Sequence, residues 1–132
     1  MTEHRTRKRF GQHFLHDRNL VDRMVRTLDL KQDDTVVEIG PGRGALTYPL
    51  LEDLPHLHVV ELDRDLITLL RQENTPDRLS IHESDALKFD FRTLKPADKP
   101  LRVVGNLPYN ISTPLIFHLL SQADAITDLT FM

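Results

Sequence analysis

The stretch that decides the fold is TVVEIGPGRGALTYPLLEDL, residues 35–54. Its first five residues are apolar or β-branched apart from one glutamate, which predicts a short buried strand. Glycines follow at positions 40, 42 and 44, and residues 45–54 then show the apolar spacing of a helix. A strand, a glycine turn and a helix in this order are typical of a nucleotide-like binding unit. Pro49 inside the helical stretch predicts a kink or a later start of that helix.

The same alternation of strands and helices extends along the chain on both sides of this unit. Apolar periodicity predicts helices over 18–28, with Asp17 as N-cap, and over 65–72, and short β-branched runs predict strands over 57–62, 79–82 and 101–105. Ser112-Thr113-Pro114 is predicted to open a last helix reaching about Leu120, and Leu129 to Met132 begins a further strand. This pattern predicts an α/β fold with a doubly wound, mostly parallel sheet.

Length and composition restrict the class of protein. The chain has 132 residues, 39% of them apolar and 28% charged, which suits one globular domain. It contains no cysteine, so disulfide scaffolds, thiolate zinc clusters and thiol redox chemistry are excluded. No apolar run approaches the roughly 18 to 20 residues of a membrane span, and the seven histidines show no metal-ligand spacing. We therefore expect a soluble cytoplasmic protein without a metal site.

The charge is distributed unevenly along the chain. Residues 1–26 carry seven Lys or Arg against three acids, a net charge of +4, which leaves −7 for the remainder of a chain whose total is −3. A basic N-terminal segment on an acidic domain is typical of a protein whose N-terminal segment binds phosphates. A solvated terminus without a partner explains the charge equally well. The basic side chains at the start of this segment are Arg5, Arg7, Lys8 and Arg9.

Polar residues stand where the predicted strands end, at the sheet edge where doubly wound folds bind ligands. Glu61 follows Gly40 by 21 positions, a spacing that suits a carboxylate accepting hydrogen bonds from ribose hydroxyls. Asp85 follows the third strand and either accepts a hydrogen bond from an adenine amino group or caps a turn. The glycine spacing is G-x-G-x-G and not G-x-G-x-x-G, which disfavours an NAD-dependent oxidoreductase.

Asn106-Leu107-Pro108-Tyr109 follows the fourth strand and combines an amide, a proline-stiffened turn and an aromatic ring. Chemistry on the exocyclic amine of a base needs such groups: the Asn106 oxygen and the Leu107 carbonyl as acceptors, and Tyr109 as a stacking surface. The amine itself is then the nucleophile, and the protein aligns it with an electrophilic methyl group. The alternative is a plain turn with a packed tyrosine.

Four motifs carry a resemblance to a known family: RFGQHFL at 9–15, VEIGPG at 37–42, VELD at 60–63 and GNLPYNIST at 105–113. In this order they resemble the ribosomal RNA adenine dimethyltransferases of the KsgA (RsmA) type, over essentially the whole chain. The resemblance implies a Rossmann-like class I methyltransferase that uses S-adenosylmethionine. Its implied activity is dimethylation of two adjacent adenosines near the 3′ end of small-subunit (16S) ribosomal RNA within an assembling ribosomal subunit.

The resemblance also implies roles for individual residues. His13 and Leu15 would contact the cofactor, Gly40 would lie under its methionine part, Glu61 would hold the ribose and Asp85 would meet the adenine. Asn106 would border the cofactor, and with the Leu107 carbonyl it would hold the target amine, with Pro108 fixing the turn and Tyr109 stacking on the base. The family often has Asn where this chain has His13.

Two further expectations concern domains and alternatives. Family members are longer, so we expect residues 17–132 to be a partial cofactor-binding domain that is truncated before the last strands. We expect residues 1–16 to be a basic segment that reaches the cofactor. We expect the helical C-terminal domain of the family to be absent. We expect a monomer with little activity of its own. The related erythromycin-resistance methyltransferases, which modify large-subunit RNA, and a non-catalytic RNA-binding or ribosome-assembly module are the alternative functions.

Overall fold

The structure, a computed structural model, describes residues 17–107 and 109–131, and for Tyr109 it describes the backbone. The helices are α1 (Arg18–Leu28), α2 (Thr47–Asp53), α3 (Arg64–Glu73) and α4 (Tyr109–Leu120). The strands are β1 (Val36–Ile39), β2 (Leu57–Glu61), β3 (Leu79–Glu83), β4 (Leu101–Gly105) and β5 (Ile126–Phe131). Two short 3₁₀ helices, Phe91–Leu94 and Ala123–Ala125, precede β4 and β5.

The strands form one five-stranded sheet with the order β3-β2-β1-β4-β5. Every neighbouring pair in this sheet is parallel, as the alternation of strands and helices predicts. The strand order changes direction at β1, where β2 lies on one side and β4 on the other. In doubly wound sheets such a switch point is where ligands bind, just beyond the carboxyl ends of the strands.

Apolar side chains cover both faces of the sheet. Side chains of α1 and α2 pack on one face around Val36, Val59 and Val104. Leu115 and Leu119 of α4 and the 3₁₀-helix residue Phe91 pack on the other. Strand β1 lies between these layers, and all four of its residues are buried. A buried central strand gives the residues that follow it a rigid support.

Most predicted elements are confirmed to within one or two residues. Asp17 and Asp63 cap α1 and α3, each by accepting two backbone N–H groups. α2 begins at Thr47, two residues after the expected start, so Pro49 lies in its first turn, where the missing N–H costs no helical bond.

The prediction for the last helix was wrong about its start. α4 begins at Tyr109 and contains Pro114, so Ser112 and Thr113 are helical residues and not its cap. Burial of Leu115 and Leu119 holds the helix in place, although Pro114 removes one backbone bond. The final strand also begins earlier than predicted, at Ile126 instead of Leu129. None of the helices in the described residues is long and apolar enough to cross a membrane.

Three histidines meet on β2 and β3 and in the loop before β2. His58 Nδ1 lies 3.0 Å from His82 Nε2, and His56 Nε2 lies 2.7 Å from the Ser80 hydroxyl. Burial, reinforced by the two neighbouring imidazoles, lowers the pKa of His58 to about 4. Burial also lowers the pKa of His56 and of His82. Within 17–107 and 109–131, no group of three or more His, Asp or Glu side chains is arranged to hold a metal ion.

Candidate active site

The parallel register brings the ends of four strands to one edge of the sheet. Ile39 at the end of β1 is paired with Val60 on one side and with Gly105 on the other. Glu61 is paired with Glu83. The segments after these residues, which contain Gly40, Asp85 and Asn106 among others, therefore leave the sheet side by side. This is the edge at which the sequence predicts a ligand.

The glycine turn depends on backbone conformations that other residues rarely adopt. The φ angles of Gly40, Gly42 and Gly44 are +67°, +57° and +97°, all in the left-handed region. The Gly40 N–H donates to the Val60 carbonyl at 3.0 Å, which ties the start of the turn to β2. The ring of Tyr48 lies directly against Gly44, where a side chain would overlap it. The loop is therefore fixed at both ends.

Glu61 joins the glycine loop to the end of β2. Its Oε1 accepts a hydrogen bond from the Gly42 N–H at 3.4 Å. Its Oε2 accepts from the N–H groups of Leu62 and Asp63 at 2.9 and 3.0 Å. The carboxylate predicted to hold a ribose thus also orients the loop, a role that the sequence did not indicate. Oε1 makes one of the two hydrogen bonds it can accept, so it retains capacity for a hydroxyl donor.

Asp85 lies beside Glu61 through the pairing of β2 with β3. The Ser84 N–H donates to the Glu61 carbonyl at 3.0 Å. Asp85 Oδ1 accepts from the Leu87 N–H at 3.0 Å, and the side chain is half-buried. Asp85 therefore caps the turn through Leu87, which is one of the two roles that the sequence predicts for it. The predicted contact with an adenine amino group remains a prediction, and the second oxygen of Asp85 is the candidate acceptor.

The segment after β4 returns to the glycine loop. A Cβ placed on Gly40 would lie 3.1 Å from Leu107 Cδ2, so the Leu107 side chain rests against the first glycine of the turn. Asn106 is half-buried and immediately follows β4. Tyr109 is the first residue of α4, while Pro108 and the side chain of Tyr109 lie outside the described part. The glycine loop and the Asn106–Tyr109 segment, the two motifs to which the sequence analysis gives binding roles, are therefore in contact.

Besides Pro108, six of the predicted site residues lie outside the described residues. The cofactor contacts of His13 and Leu15 fall in the segment 1–16, and so does the predicted RNA-binding set of Arg5, Arg7, Lys8 and Arg9. These assignments stay predictions.

Glu38 is a feature of the site that the sequence analysis did not identify. It lies in β1, two residues before Gly40, and is 2% exposed. Its Oε1 accepts a hydrogen bond from the Thr47 hydroxyl at 2.6 Å. Burial, together with the nearby negative charge of Glu61 and despite the Thr47 bond, raises the pKa of Glu38 to about 8. An acid inside the otherwise apolar run VVEI was the available signal.

Two exposed leucines accompany the carboxylates of this edge. Leu62, directly after Glu61, is 61% exposed, and Leu87, two residues after Asp85, is 38% exposed. Arg43, between two glycines of the loop, is exposed as well. Apolar side chains beside hydrogen-bond acceptors suit a ligand with a flat apolar ring and polar substituents.

Comparison with known proteins decides the family. A family model described as ribosomal RNA adenine dimethylase matches residues 3–132. The chain belongs to this family. A ribosomal RNA small subunit methyltransferase A from Alcanivorax borkumensis is 88% identical to it over 132 residues, and one from Aromatoleum aromaticum is 61% identical. The resemblance drawn from the four motifs is thereby confirmed.

Solved structures of this family and its relatives share the fold. The 23S rRNA methyltransferase ErmE is 28% identical and superimposes on 87% of this chain with a TM-score of 0.69, which covers 45% of ErmE. A dimethyladenosine transferase from Plasmodium falciparum is 29% identical over 86% of this chain and 41% of its own, with a TM-score of 0.67. The predicted Rossmann-like methyltransferase fold is confirmed.

This chain covers part of each family member that it matches. All of it aligns, but it spans 47% of the Alcanivorax borkumensis relative and 49% of the Aromatoleum aromaticum relative. The matched part contains the glycine loop and the segment after β4.

Proposed function

We propose that this chain carries the cofactor site and the amine-holding site of an enzyme that uses S-adenosylmethionine to dimethylate two adjacent adenosines near the 3′ end of small-subunit (16S) ribosomal RNA. The observation that carries the proposal is the packing of Leu107 against Gly40. It joins the loop expected under the cofactor to the turn expected to hold the target amine. The names of the relatives, small subunit methyltransferase A, indicate the same RNA.

The described residues fit the cofactor. Its adenosine carries two ribose hydroxyls and a flat base with an amino group. Glu61 Oε1 has spare acceptor capacity, Asp85 has a second oxygen, and Leu62 and Leu87 offer exposed apolar surface beside them. We assign the ribose to Glu61, the base amino group to Asp85 and the methionine part to the turn at Gly40, with His13, Leu15 and Asn106 as further contacts.

When bound, the cofactor supplies an electrophilic methyl group on a sulfonium. The protein has to hold the adenosine amine so that its lone pair points at that group. The Asn106 side-chain oxygen and the Leu107 carbonyl accept the two amine hydrogens, Pro108 fixes the turn between strand and helix, and Tyr109 stacks on the base. The nitrogen lone pair would form the new N–C bond while the bond from the methyl group to sulfur breaks and leaves its electron pair on sulfur, and the amine would lose a proton to solvent.

The substrate is recognised in an assembling subunit by more than the target base. We assign phosphate contacts to the basic set Arg5, Arg7, Lys8 and Arg9, because such contacts give affinity without sequence selection. In the relatives about half of the length lies outside the region matched by this chain. We assign RNA docking in part to that region, in which we expect a helical domain, and we expect the chain alone to be monomeric, cytoplasmic and weakly active.

A methyl-transfer assay tests this function. Small ribosomal subunits without the two methylated adenosines are incubated with labelled cofactor and either this chain or the full-length Alcanivorax borkumensis relative. We expect rapid transfer to two adjacent adenosines by the relative and slow transfer by this chain. Asn106→Ala, made at the matching position of both proteins, should reduce transfer by at least about a hundredfold, the usual size of a lost catalytic hydrogen-bonding group.

The same assay separates the alternatives. Salt-dependent RNA binding without any methyl transfer by either protein would favour the RNA-binding module. Transfer to large-subunit RNA in preference to small-subunit RNA would favour the erythromycin-resistance type. Asn106→Ala variants with normal rates would remove the assigned role of that residue.

A further inference from the structure

Glu38 is a buried acid with no opposite charge near it among the described residues. Its β-sheet partners are Val59 on β2 and Val104 on β4. α1 contributes Val21, Val25 and Leu28 to the core on the same face as these valines, and α2 contributes the Thr47 hydroxyl, which donates to Glu38. Among the described residues, the charged group that acts on Glu38 is Glu61, which is also negative. This environment favours the neutral acid over the carboxylate.

The hydrogen bond of Glu38 spans the glycine loop. Glu38 lies two residues before Gly40, and Thr47 lies three residues after Gly44, as the first residue of α2. The 2.6 Å bond between them therefore connects the strand that enters the loop to the helix that leaves it. A ligand bound on the loop therefore lies at the end of the strand that carries this buried acid, for which the described residues supply no countercharge.

We propose that Glu38 releases its proton when the cationic cofactor binds at the glycine loop, so that cofactor affinity is coupled to pH through β1. The inference rests on the proposed function, since S-adenosylmethionine carries two positive charges, on its sulfonium and its ammonium group, against one carboxylate, and is a cation overall. A cation placed near a buried carboxyl group stabilises the carboxylate strongly, because the surroundings screen the attraction weakly. The O–H bond of Glu38 breaks, the electron pair stays on the carboxylate and the proton passes to the solvent.

Calorimetric titration of this chain with S-adenosylmethionine tests the proposal, at several values from pH 6 to pH 9 and in buffers with different ionisation enthalpies. The matched variant is Glu38→Gln, which cannot titrate but still accepts the Thr47 hydrogen bond. At pH 6 we expect the variant and the wild type to differ by no more than a few fold. Toward pH 8 wild-type affinity should rise by up to about tenfold per pH unit relative to the variant, and the wild type should release up to one more proton per cofactor bound.

The variant Thr47→Val and an NMR measurement on Glu38 test directly whether Glu38 is the group that releases the proton. Thr47→Val removes a hydrogen bond that stabilises the carboxylate, so the pH range of the affinity change should move upward. The ¹³C signal of the Glu38 carboxyl group should change from the acid to the carboxylate position when cofactor is added at pH 7.

The possible failures are distinguishable. Binding with the same pH dependence and proton release in wild type and Glu38→Gln would overturn this inference and leave the proposed function standing. The role of Glu38 would then be to connect β1 to α2 through its hydrogen bond with Thr47. Failure of the wild type to bind the cofactor at any pH would overturn both.

Discussion

Leu107, on the segment after β4, packs its side chain against the α-carbon of Gly40, with Cδ2 3.1 Å from the position that a Cβ would occupy. β1 and β4 are neighbours in the sheet, and Ile39 is paired with Gly105. The two loops that follow these strands therefore share a contact surface. The contact is possible because Gly40 has no side chain. A substitution at this position therefore affects both the predicted cofactor site and the predicted amine-holding site.

Gly40→Ala should impair cofactor binding and stability more than Gly42→Ala. Both glycines have positive φ angles, +67° and +57°, so alanine strains the backbone at either position by about 1 kcal/mol. Only at Gly40 does the new methyl group also press on Leu107, since no atom of the described residues lies within 4 Å of a Cβ on Gly42. Cofactor titration and urea unfolding of the two variants provide the measurements.

We expect Gly40→Ala to lose cofactor affinity by at least about tenfold relative to Gly42→Ala, because relief of the contact with Leu107 displaces the turn that we expect under the methionine part of the cofactor. The double variant Gly40→Ala/Leu107→Ala should recover part of the lost stability by making room. Equal losses in the two single variants would mean that the Leu107 contact has no influence.

Glu61→Gln should weaken the loop even before any ligand is present. The carboxylate accepts three backbone N–H groups, and an amide replaces one acceptor oxygen by a donor that faces one of them. An unpaired donor of this kind costs about 1–3 kcal/mol when buried. We expect a lower urea midpoint and at least a tenfold loss of cofactor affinity. Glu83→Gln is the matched control, because Glu83 pairs with Glu61 in the sheet but forms an exposed ion pair with Arg64; a comparable loss in that variant would contradict the role of Glu61.

The strands and the ligand-binding edge could be predicted from the sequence because both depend on local patterns. Runs such as Val36 to Ile39 and Leu101 to Gly105 are short and β-branched, and a parallel sheet follows from their alternation with helices. Once the sheet is parallel, residues such as Gly40, Glu61 and Asn106 must lie at or just after the ends of its strands, at one edge. The start of α4 could not be predicted, because Ser112-Thr113-Pro114 matches a helix start equally well and the burial of Leu115 is a tertiary effect.

The electrostatics of the site depend on packing that no local pattern contains. The pKa of Glu38 is raised because α1 and α2 cover the face of β1 on which it lies. Glu61 orients the loop because the Gly42 N–H points at it across the turn. Both relationships join residues on different elements. Sequence patterns can place the acids at the edge, but they cannot assign a charge or a hydrogen-bond partner to each.

Arg102→Met should be strongly destabilising. The Arg102 guanidinium donates to Asp128 at 3.0 Å, to Asp34 at 3.1 Å and to the Leu28 carbonyl at 2.6 Å, and its side chain is 18% exposed. It therefore links β4 to β5, to the loop before β1 and to the end of α1. Removing one partner of a buried ion pair costs about 3–5 kcal/mol, and we expect a loss at the low end of that range because Asp128 is 41% exposed and Asp34 keeps Lys99 at 3.9 Å. Urea unfolding measures the loss.

The matched control for Arg102 is Arg18→Met. Arg18 also donates to two carboxylates, Asp22 at 2.9 Å and Glu52 at 2.8 Å, but its side chain is 55% exposed. Exposed ion pairs are screened by solvent and contribute little, so the urea midpoint of this variant should stay close to the wild type. A shift as large as that of Arg102→Met would refute the assignment of stability to burial.

The histidine pair on β2 and β3 should make the fold sensitive to acid. Burial holds the pKa of His58 at about 4, below the ordinary value of 6.5. Between these two values the unfolded chain binds a proton that the folded chain excludes, so stability falls as pH decreases from about 6.5 to about 4 and levels off below. His58→Gln should remove most of this decline in the urea midpoint measured against pH. His118→Gln, which leaves the contact between His58 and His82 intact, should retain it; an unchanged slope in His58→Gln would assign the acid sensitivity to other groups.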